Sequence, residues 1–350
     1  MSINFPVIPF PPIALIGLFL KIPEASNLLG SSIDMPISVI IPAKNHSVKG
    51  AIESCKNQSV IPAQIIVVDD GSDIPLQHKG IIIIRNEKSI GKADSINKAI
   101  KFINYPLVCI LDCDTILGED YFFEVGKLFA NPKMVAACGL ILPSNKGIIP
   151  DIRMIDYIYG QETYKKIQQQ FKMILVSAGC STIWKTNYLK DNPIPTDTVV
   201  EDLRATWVAE SSGLTIGFTD KAVAYTEEPV KVDDFYNQIR RWFSIVPAIK
   251  NTRLNKNLKI LMAWVFTEYA LQILFLGAMT YLLITQQFTN FAFFILIDLI
   301  LVSIVTCYYG LKLKINLWGI FKSLPFYHLY RIANTVTFII SLINPKKRWK

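Results

Sequence analysis

The hydrophobic pattern divides the chain into three parts, and the middle part predicts a sheet with interleaved helices. From residue 35 to 250, short apolar runs rich in β-branched residues alternate with stretches of helical periodicity. The runs that predict strands are ISVII, QIIVVDD, GIIIIR, LVCILDCD and VAACGLIL, and helical patterns lie at 46–57, 91–102, 120–130 and, as one long polar helix, 150–172, with a further strand and turn at 173–184. Such alternation predicts an α/β domain whose mostly parallel sheet is covered on both faces, with a ligand crevice at the carboxyl ends of the strands.

The last part, residues 251–350, predicts a helical membrane region. The segment 258–284 carries one formal charge, Glu268, and the segment 290–309 carries only Asp298. Each is long enough to cross a bilayer. The segment 324–343 is also apolar enough for a third span, but Arg331 interrupts it. We therefore expect an interfacial or re-entrant helix there.

The first part, residues 1–34, contains an apolar run broken by four prolines. It has neither a basic segment before the run nor a small-residue cleavage site, so it is not typical of a signal peptide. Uninterrupted helix fits only residues 12–22, which is short for a span. We expect an apolar anchor that either crosses the membrane or lies in its interface.

Charge strengthens the membrane prediction. The net charge is +8, and residues 251–350 hold 11 Lys and Arg against two Asp and Glu. Because this basic excess lies in the most apolar part, it favours cytoplasmic loops and lipid headgroups over a nucleic acid. The link 285–290 is uncharged while both flanks are basic, which places the α/β domain in the cytoplasm. The six cysteines form no CxxC pair, so neither a zinc site nor a disulfide framework is indicated.

Two predicted strands end in paired acids. Asp69 and Asp70 close the run QIIVVDD and precede a Gly-Ser turn, which suits contacts to a nucleobase or ribose but also suits an ordinary turn. Asp112 and Asp114 follow LVCIL with one residue between them. Alternation in an extended segment directs both side chains to one side, where two carboxylates can share a divalent cation.

Seven short motifs occur in an order that resembles a known family. They are VIIPAKN, VVDDGS, GKADSINKAI, DCD, SAGCST, VED and QIRRW, and they extend over residues 37–242. This set resembles the family 2 glycosyltransferases, and within them the membrane-embedded processive branch of cellulose, chitin and hyaluronan synthases. The resemblance implies a GT-A fold, a Rossmann-like nucleotide-sugar-binding domain at 35–250, followed by the helical membrane region.

The resemblance assigns the first acidic motifs to the nucleotide-sugar donor. Asp69 or Asp70 is expected to contact the nucleobase, and Lys92 to support the phosphates. Asp112 is expected to position the ribose and, with Asp114 as the more direct ligand, to bind the metal. Mg²⁺ and Mn²⁺ both accept such an all-oxygen site.

The VED motif is expected to supply the catalytic base. Inverting transfer displaces the nucleotide in line, so a carboxylate must take the acceptor's proton, and the resemblance gives this role to Asp202 with Glu201 beside it. Val200 stands where the family pattern has Thr. His46 likewise replaces the acidic residue usual after PxxN, which leaves position 46 without an assigned role.

The remaining motifs point to the leaving group and the acceptor. Gln238, Arg241 and Trp242 form the QxxRW element of the processive branch: Arg241 is expected to pair with the diphosphate, and Trp242 to stack on an acceptor sugar. QIRRWF also suits an amphipathic segment at the bilayer. Gly179, Cys180 and Ser181 correspond to a small-residue turn that borders the acceptor, with Cys180 as a wall residue.

The sequence therefore predicts an inverting, metal-dependent membrane enzyme that moves a sugar from a nucleotide donor, a UDP-sugar, to a growing glycan. One alternative is addition of a single sugar to a polyprenyl phosphate or other lipid carrier, because only two spans are clear. Another is a membrane protein that binds a sugar nucleotide without turnover. The expected partners are the donor, a glycan or lipid-linked acceptor, the bilayer and no nucleic acid. A homo-oligomer is a further possibility, in which dimerisation could supply the missing helices.

Overall fold

The computed structural model describes residues 35–346, in which an eight-stranded mixed sheet forms the core of the first part. The strand order is β3-β2-β1-β4-β7-β6-β8-β5. The strands are β1 (Ile37–Ala43), β2 (Gln64–Asp70), β3 (Ile82–Asn86), β4 (Leu107–Ile110), β5 (Thr115–Leu117), β6 (Met134–Pro143), β7 (Ile183–Lys185) and β8 (Thr215–Thr226). Strands β1 to β4 pair in parallel, whereas β7 runs antiparallel to β4 and β6. Every residue of β1 and β6 is buried, as expected for strands covered on both faces.

Helices follow most of the strands. They are α1 (Lys49–Lys56), α2 (Lys92–Ile100), α3 (Tyr121–Gly126), α4 (Ile148–Ile158), α5 (Lys166–Gln170), α6 (Thr186–Asp191), α7 (Glu201–Ser211), α8 (Val232–Trp242) and α9 (Val246–Lys250). A π-helical segment, Tyr159–Lys165, joins α4 to α5. The parallel strands β1, β2 and β4 therefore direct their carboxyl ends, and the loops after them, to one edge of the sheet.

The second part is helical. Its helices are α10 (Lys256–Ile284), α11 (Phe288–Lys312), α12 (Leu317–Ser323) and α13 (Tyr327–Ile343), with a 3₁₀ turn at Leu324–Phe326. Within residues 35–346, α10 and α11 are long and apolar enough to cross a membrane. These two helices match the predicted spans 258–284 and 290–309, and α13 lies within the third predicted segment.

The polarity of this helical part is reversed relative to a water-soluble domain. Large apolar side chains point outward, including Leu274, Ile284, Phe288, Leu311 and Ile343. Charged and amide side chains are buried instead: Glu268, Gln272, Asp298, Arg331 and Asn334. Arg331 donates hydrogen bonds to Asp298 at 2.5 Å and to Gln272 at 2.6 Å, which joins α13 to α11 and α10. This arrangement suits an apolar solvent around the helices.

Two expectations differ from the structure in detail. Residues 150–172 are helical as predicted, but their polar side chains face inward: Gln161, for example, is buried and bonds both backbone groups of Ile141 in β6. In 173–184 only the short β7 forms, since most of this stretch is a loop fixed by side chains of α7. The N-terminal anchor predicted for residues 1–34 lies outside the described residues.

Candidate functional site

The acidic motifs meet at the carboxyl edge of the sheet. β2 ends at Asp70, the DCD motif follows β4, and α7 begins at Glu201. The SAGCST loop connects two of them, because the amide nitrogen of Asp112 donates to the carbonyl of Cys180 at 3.0 Å. The motifs that are distant in sequence thus share one region of the fold.

Asp70 fixes the loop that leads into α2. Its carboxylate accepts hydrogen bonds from Asn86 at 2.9 Å, the Ser89 hydroxyl at 2.7 Å, and the amides of Ile90 and Gly91 at 2.8 and 2.9 Å. Burial raises the pKa of Asp70, but these hydrogen bonds outweigh it and hold the pKa below its usual value. Four donors use the lone pairs that a carboxylate offers. Asp70 therefore organises the segment that precedes Lys92.

Asp69 is also engaged within the chain. It accepts hydrogen bonds from the amide of Ser72 at 2.9 Å and of Leu76 at 3.1 Å, and it forms an ion pair with Arg85. Gly71, at φ +71°, lies in the turn that follows Asp70. A Cβ there would lie 2.7 Å from the amide nitrogen of Ser89. The VVDDGS motif thus forms a rigid, hydrogen-bonded rim. Its predicted contact with a nucleobase stays a prediction.

Lys92 connects this rim to the DCD motif. It pairs directly with Asp112, and its ammonium lies 3.5 Å from the carbonyl of Gly179. Burial lowers the pKa of Lys92, but the charges of Asp112, Glu201 and Asp202 outweigh it and raise the pKa above its usual value. In turn Lys92 lowers the pKa of Asp112 despite burial. Lys92 therefore stays cationic at the centre of the acidic cluster.

Asp202 lies in the first turn of α7 against the SAGCST loop. Its Oδ2 accepts the amide of Gly179 at 3.1 Å and its Oδ1 accepts the amide of Leu203 at 2.8 Å. The neighbouring Glu201 is 5% exposed, and burial together with the charge of Asp202 raises its pKa to about 7, although Lys92 and Arg241 act against the shift. Two adjacent carboxyls with different surroundings are a frequent arrangement where proton transfer occurs.

Helix α8 brings the QxxRW residues to the same place. Gln238, Arg241 and Trp242 are all buried on one side of α8. The guanidinium of Arg241 interacts electrostatically with Glu201, Asp202, Asp112 and Asp114, and burial lowers its pKa. The ring of Trp242 is fully buried, and the guanidinium of Arg153 lies 4.3 Å from the ring centroid. Stacking of a sugar on Trp242 is therefore still a prediction.

The residues of the SAGCST turn lie in two different environments, a cavity and the protein core. Gly179 borders a small cavity of about 20 Å³, which Lys92, Glu201 and Asp202 also line. Cys180 and Ser181 are fully buried, and the hydroxyl of Tyr121 donates to Ser181 in the core. Of the three residues of this turn that were predicted at the acceptor, the structure brings Gly179 to the cavity and places the side chains of the other two in the core.

Comparison with known proteins identifies the domain. A family model described as "Glycosyl transferase family 2" matches residues 38–187, which include the VVDDGS, DCD and SAGCST motifs. Residues 38–187 thus form a glycosyltransferase family 2 domain. The resemblance inferred from the motifs is thereby confirmed.

The similar proteins with curated descriptions are polysaccharide synthases. The chain is 27% identical over 220 residues to the poly-beta-1,6-N-acetyl-D-glucosamine synthase of Staphylococcus epidermidis, covering 59% of this chain and 53% of the relative. It is 25% identical over 190 residues to the synthase of the same description from Staphylococcus aureus, covering 51% and 46%. The chain thus spans about half the length of the curated relatives it matches.

A solved structure shares the fold over nearly the whole chain. The mannosyltransferase PcManGT from Pyrobaculum calidifontis, solved with GDP-Man and Mn²⁺, matches with a TM-score of 0.59 and 14% identity, over 95% of this chain and 94% of that one. The predicted GT-A fold with a helical region after the catalytic domain is confirmed.

The residues of this site suit a divalent cation only together with a donor. Among residues 35–346, no group of three or more His, Cys, Asp or Glu is arranged as a complete metal site. Asp112 and Asp114 provide hard carboxylate oxygens on one turn, and Arg241 interacts with both. Two carboxylates supplemented by phosphate oxygens are a donor set that Mg²⁺ and Mn²⁺ accept.

Three residues that contact the site lie outside the seven sequence motifs and were not predicted. Arg85 pairs with Asp69, Ser89 binds Asp70, and Arg153 packs on Trp242. Arg85 pairs with Asp69 near the end of β3, the strand next to β2, so its position after GIIII was a usable signal. The sequence offered no comparable signal for Arg153, which lies in a stretch that resembles an ordinary polar helix.

Proposed function

We propose that the chain is an inverting, metal-dependent glycosyltransferase that moves a sugar from a UDP-sugar onto a growing polysaccharide at a membrane. The observation that carries the proposal is the environment of Arg241, whose buried guanidinium interacts electrostatically with four carboxylates from two distant motifs. Carboxylates at such density repel one another, and a bound divalent cation, together with Lys92 and Arg241, would balance their charge and that of a diphosphate.

Donor binding rests on the two cations and the DCD motif. Lys92 and Arg241 both interact with carboxylates of the acidic cluster, and both side chains are largely shielded from water, so each can contact phosphate oxygens with little screening. Asp112 and Asp114 would hold a divalent ion, which neutralises charge on the leaving diphosphate when bound. The rim formed by Asp69 and Asp70 would border the nucleoside.

Asp202 acts as the general base in this proposal. The acceptor hydroxyl oxygen forms a bond to the anomeric carbon as the bond from that carbon to the diphosphate oxygen breaks. The acceptor proton passes to the Asp202 carboxylate, and the nucleoside diphosphate leaves with the bonding electrons. The hydrogen bond from Gly179 orients the carboxylate for this role.

Polymer synthesis is favoured by the relatives, which are described as synthases of poly-beta-1,6-N-acetyl-D-glucosamine. We therefore propose UDP-N-acetylglucosamine as the first donor to test. Addition of one sugar to a lipid carrier is the second candidate, because the described residues contain only two helices long enough to span a bilayer.

We also propose that residues 251–350 anchor the enzyme in a membrane, with the catalytic domain at 35–250 in the cytoplasm. The reversed polarity of α10, α11 and α13 supports contact with lipid, and the basic residues that flank α10 and α11 support the orientation. The same placement brings α8 and its QxxRW motif next to the bilayer, where a product could leave.

Detergent-purified protein tests the proposal directly. It would be incubated with Mn²⁺ and a panel of radiolabelled nucleotide sugars, including UDP-N-acetylglucosamine and GDP-mannose, and the products would be sized. A ladder of products supports polymerisation, and a single lipid-soluble product supports the lipid carrier. No transfer from any donor, with a signal equal to that of Asp202→Asn, would overturn the proposed function.

A further inference from the structure

Arg153 on α4 forms a buried charged cluster outside the predicted motifs. Its side chain is fully buried, and its guanidinium donates to Glu228 at 3.3 Å, Asp156 at 3.3 Å, Tyr157 at 2.8 Å and Tyr330 at 3.0 Å. Tyr157 also donates to Glu228, and Tyr330 donates to Asp156 at 2.7 Å. We call these five residues the Arg153 cluster. The ring of contacts leaves Arg153 little freedom to move.

The cluster joins elements that are far apart in the chain. Arg153 and Asp156 lie on α4, Glu228 follows β8, and Tyr330 lies on α13 of the helical part. The ring of Tyr330 also packs 5.4 Å from that of Phe235 at the start of α8. The position of α13 is therefore tied to both the catalytic domain and α8.

The face of Arg153 packs on the QxxRW motif. Its guanidinium carbon lies 4.3 Å from the centroid of the Trp242 ring. Trp242 directly follows Arg241, whose guanidinium interacts electrostatically with the carboxylates of the DCD and VED motifs. The two residues end α8, so a shift of the Trp242 backbone would also displace Arg241. Arg153 is thus in a position to control the orientation of Arg241 without touching the donor.

Stability alone does not account for such a cluster. Buried ion pairs are often no more stabilising than apolar residues of similar volume, because desolvation offsets their attraction. Arg153 differs from an apolar residue in its planar guanidinium, which makes several hydrogen bonds at once. These bonds fix one orientation of the guanidinium against the Trp242 ring. The rate of a catalysed reaction depends on the orientation of the catalytic groups relative to the reacting atoms.

We propose that Arg153 is a positioning residue for sugar transfer, which holds Trp242 and the end of α8 so that Arg241 faces the donor diphosphate. This inference rests on the proposed function. In addition, the same cluster makes the position of Trp242 depend on the packing of α13, because Tyr330 contacts Arg153 and Arg153 contacts Trp242.

Arg153→Lys is the decisive variant. It keeps a positive charge beside Glu228 and Asp156 but removes the planar fork that packs on Trp242. We expect kcat to fall about 10- to 100-fold, as for a small misplacement of a catalytic group. The KM for the donor should change less than kcat, because Lys92, Asp112 and Asp114 keep their places in the proposed donor site and only Arg241 is displaced. The matched control is Arg253→Lys, an exposed arginine outside the site, which should behave as the unaltered protein.

A spectroscopic readout separates positioning from general damage. The protein would be labelled with 5-fluorotryptophan, and the ¹⁹F signal of Trp242 would be assigned with Trp242→Phe. Arg153→Lys should shift this signal, and Arg253→Lys should not. Tyr330→Phe, which removes one hydroxyl and no charge, should shift it in the same direction with a smaller loss of kcat, and it decides the matter if Arg153→Lys does not fold.

The outcomes distinguish the two proposals. Normal transfer by the unaltered protein together with unchanged kcat in Arg153→Lys would overturn the positioning role. A loss of kcat with an unmoved Trp242 signal would overturn it as well. Absence of transfer by the unaltered protein from every donor would overturn the proposed function, and the positioning role with it.

Discussion

The amide nitrogen of Gly179 lies 3.1 Å from Oδ2 of Asp202, close enough that no side chain fits between them. A Cβ on Gly179 would lie 2.5 Å from Oδ2, 3.0 Å from Cγ and 3.1 Å from Cβ of Asp202. Rotation of the carboxylate alone cannot relieve three such contacts. The glycine of the SAGCST motif therefore sets the position of the proposed catalytic base.

Gly179→Ala should displace Asp202 and lower the rate of transfer about 100-fold, the typical effect of a misplaced catalytic group. Binding of UDP with Mn²⁺ should remain, because the donor ligands lie on other motifs. Radiolabelled transfer and calorimetric titration measure the two quantities. Gly277→Ala is the control, since nothing lies within 4 Å of a Cβ there. Equal rates in the two variants would contradict the assignment.

Asp202→Asn and Asp114→Asn should fail in different ways. Asp202→Asn removes the proposed base, and a loss of about 10²- to 10⁴-fold in transfer is expected while donor binding stays measurable. Asp114→Asn removes a metal ligand, so Mn²⁺ should no longer strengthen donor binding. Titration of UDP with and without Mn²⁺ checks both. The roles would be misassigned if the two variants lost binding equally.

The motif residues could be predicted because their chemistry follows local rules. VVDDGS ends one strand that the apolar runs reveal and DCD follows another, and the carboxyl ends of parallel strands meet at one edge. The spacing of Gln238 and Arg241 is that of one helical face, and α8 buries both. The two long apolar segments became α10 and α11 for an equally local reason, namely their length and lack of charge.

The Arg153 cluster could not be predicted, because two of its members, Glu228 and Tyr330, are distant in sequence from Arg153. Arg153 is 75 residues from Glu228 and 177 residues from Tyr330. The stretch 150–172 was predicted as one long polar helix, and only tertiary packing shows that its polar side chains are buried. The donors around Asp70 were hidden for the same reason: Asn86 and Ser89 come from a neighbouring strand and its loop.

Glu201 should make donor affinity depend on pH. Its pKa is raised to about 7, so it is neutral below that pH and negative above it. A negative Glu201 disfavours the diphosphate, and affinity for UDP-N-acetylglucosamine should fall about tenfold as pH rises through 7, equivalent to one pKa unit of coupling. Glu201→Gln should keep the affinity constant over pH 6 to 8. Parallel slopes for the two proteins would show that another group is responsible.

Glu210 should make stability depend on pH. It is buried on α7 and accepts the amide of Ile174 at 2.6 Å, and burial raises its pKa to about 8. Between its usual pKa and 8, the folded protein holds a proton that the unfolded chain has lost. The free energy of unfolding therefore falls as pH rises through this window, by about 2 kcal/mol between pH 6 and 8.

Glu210→Gln should remove this loss, because a neutral amide can still accept the hydrogen bond and has no proton to release. Thermal unfolding at pH 6 and pH 8.5 should show a smaller decrease in Tm for the variant than for the unaltered protein. Glu53→Gln provides the matched control: Glu53 is an exposed helical glutamate, and its removal should leave the decrease as it is. Glu201 contributes to the decrease in all three proteins, so the difference between variants isolates Glu210. An equally steep decrease in Glu210→Gln would mean that Glu210 is already ionised in the folded protein.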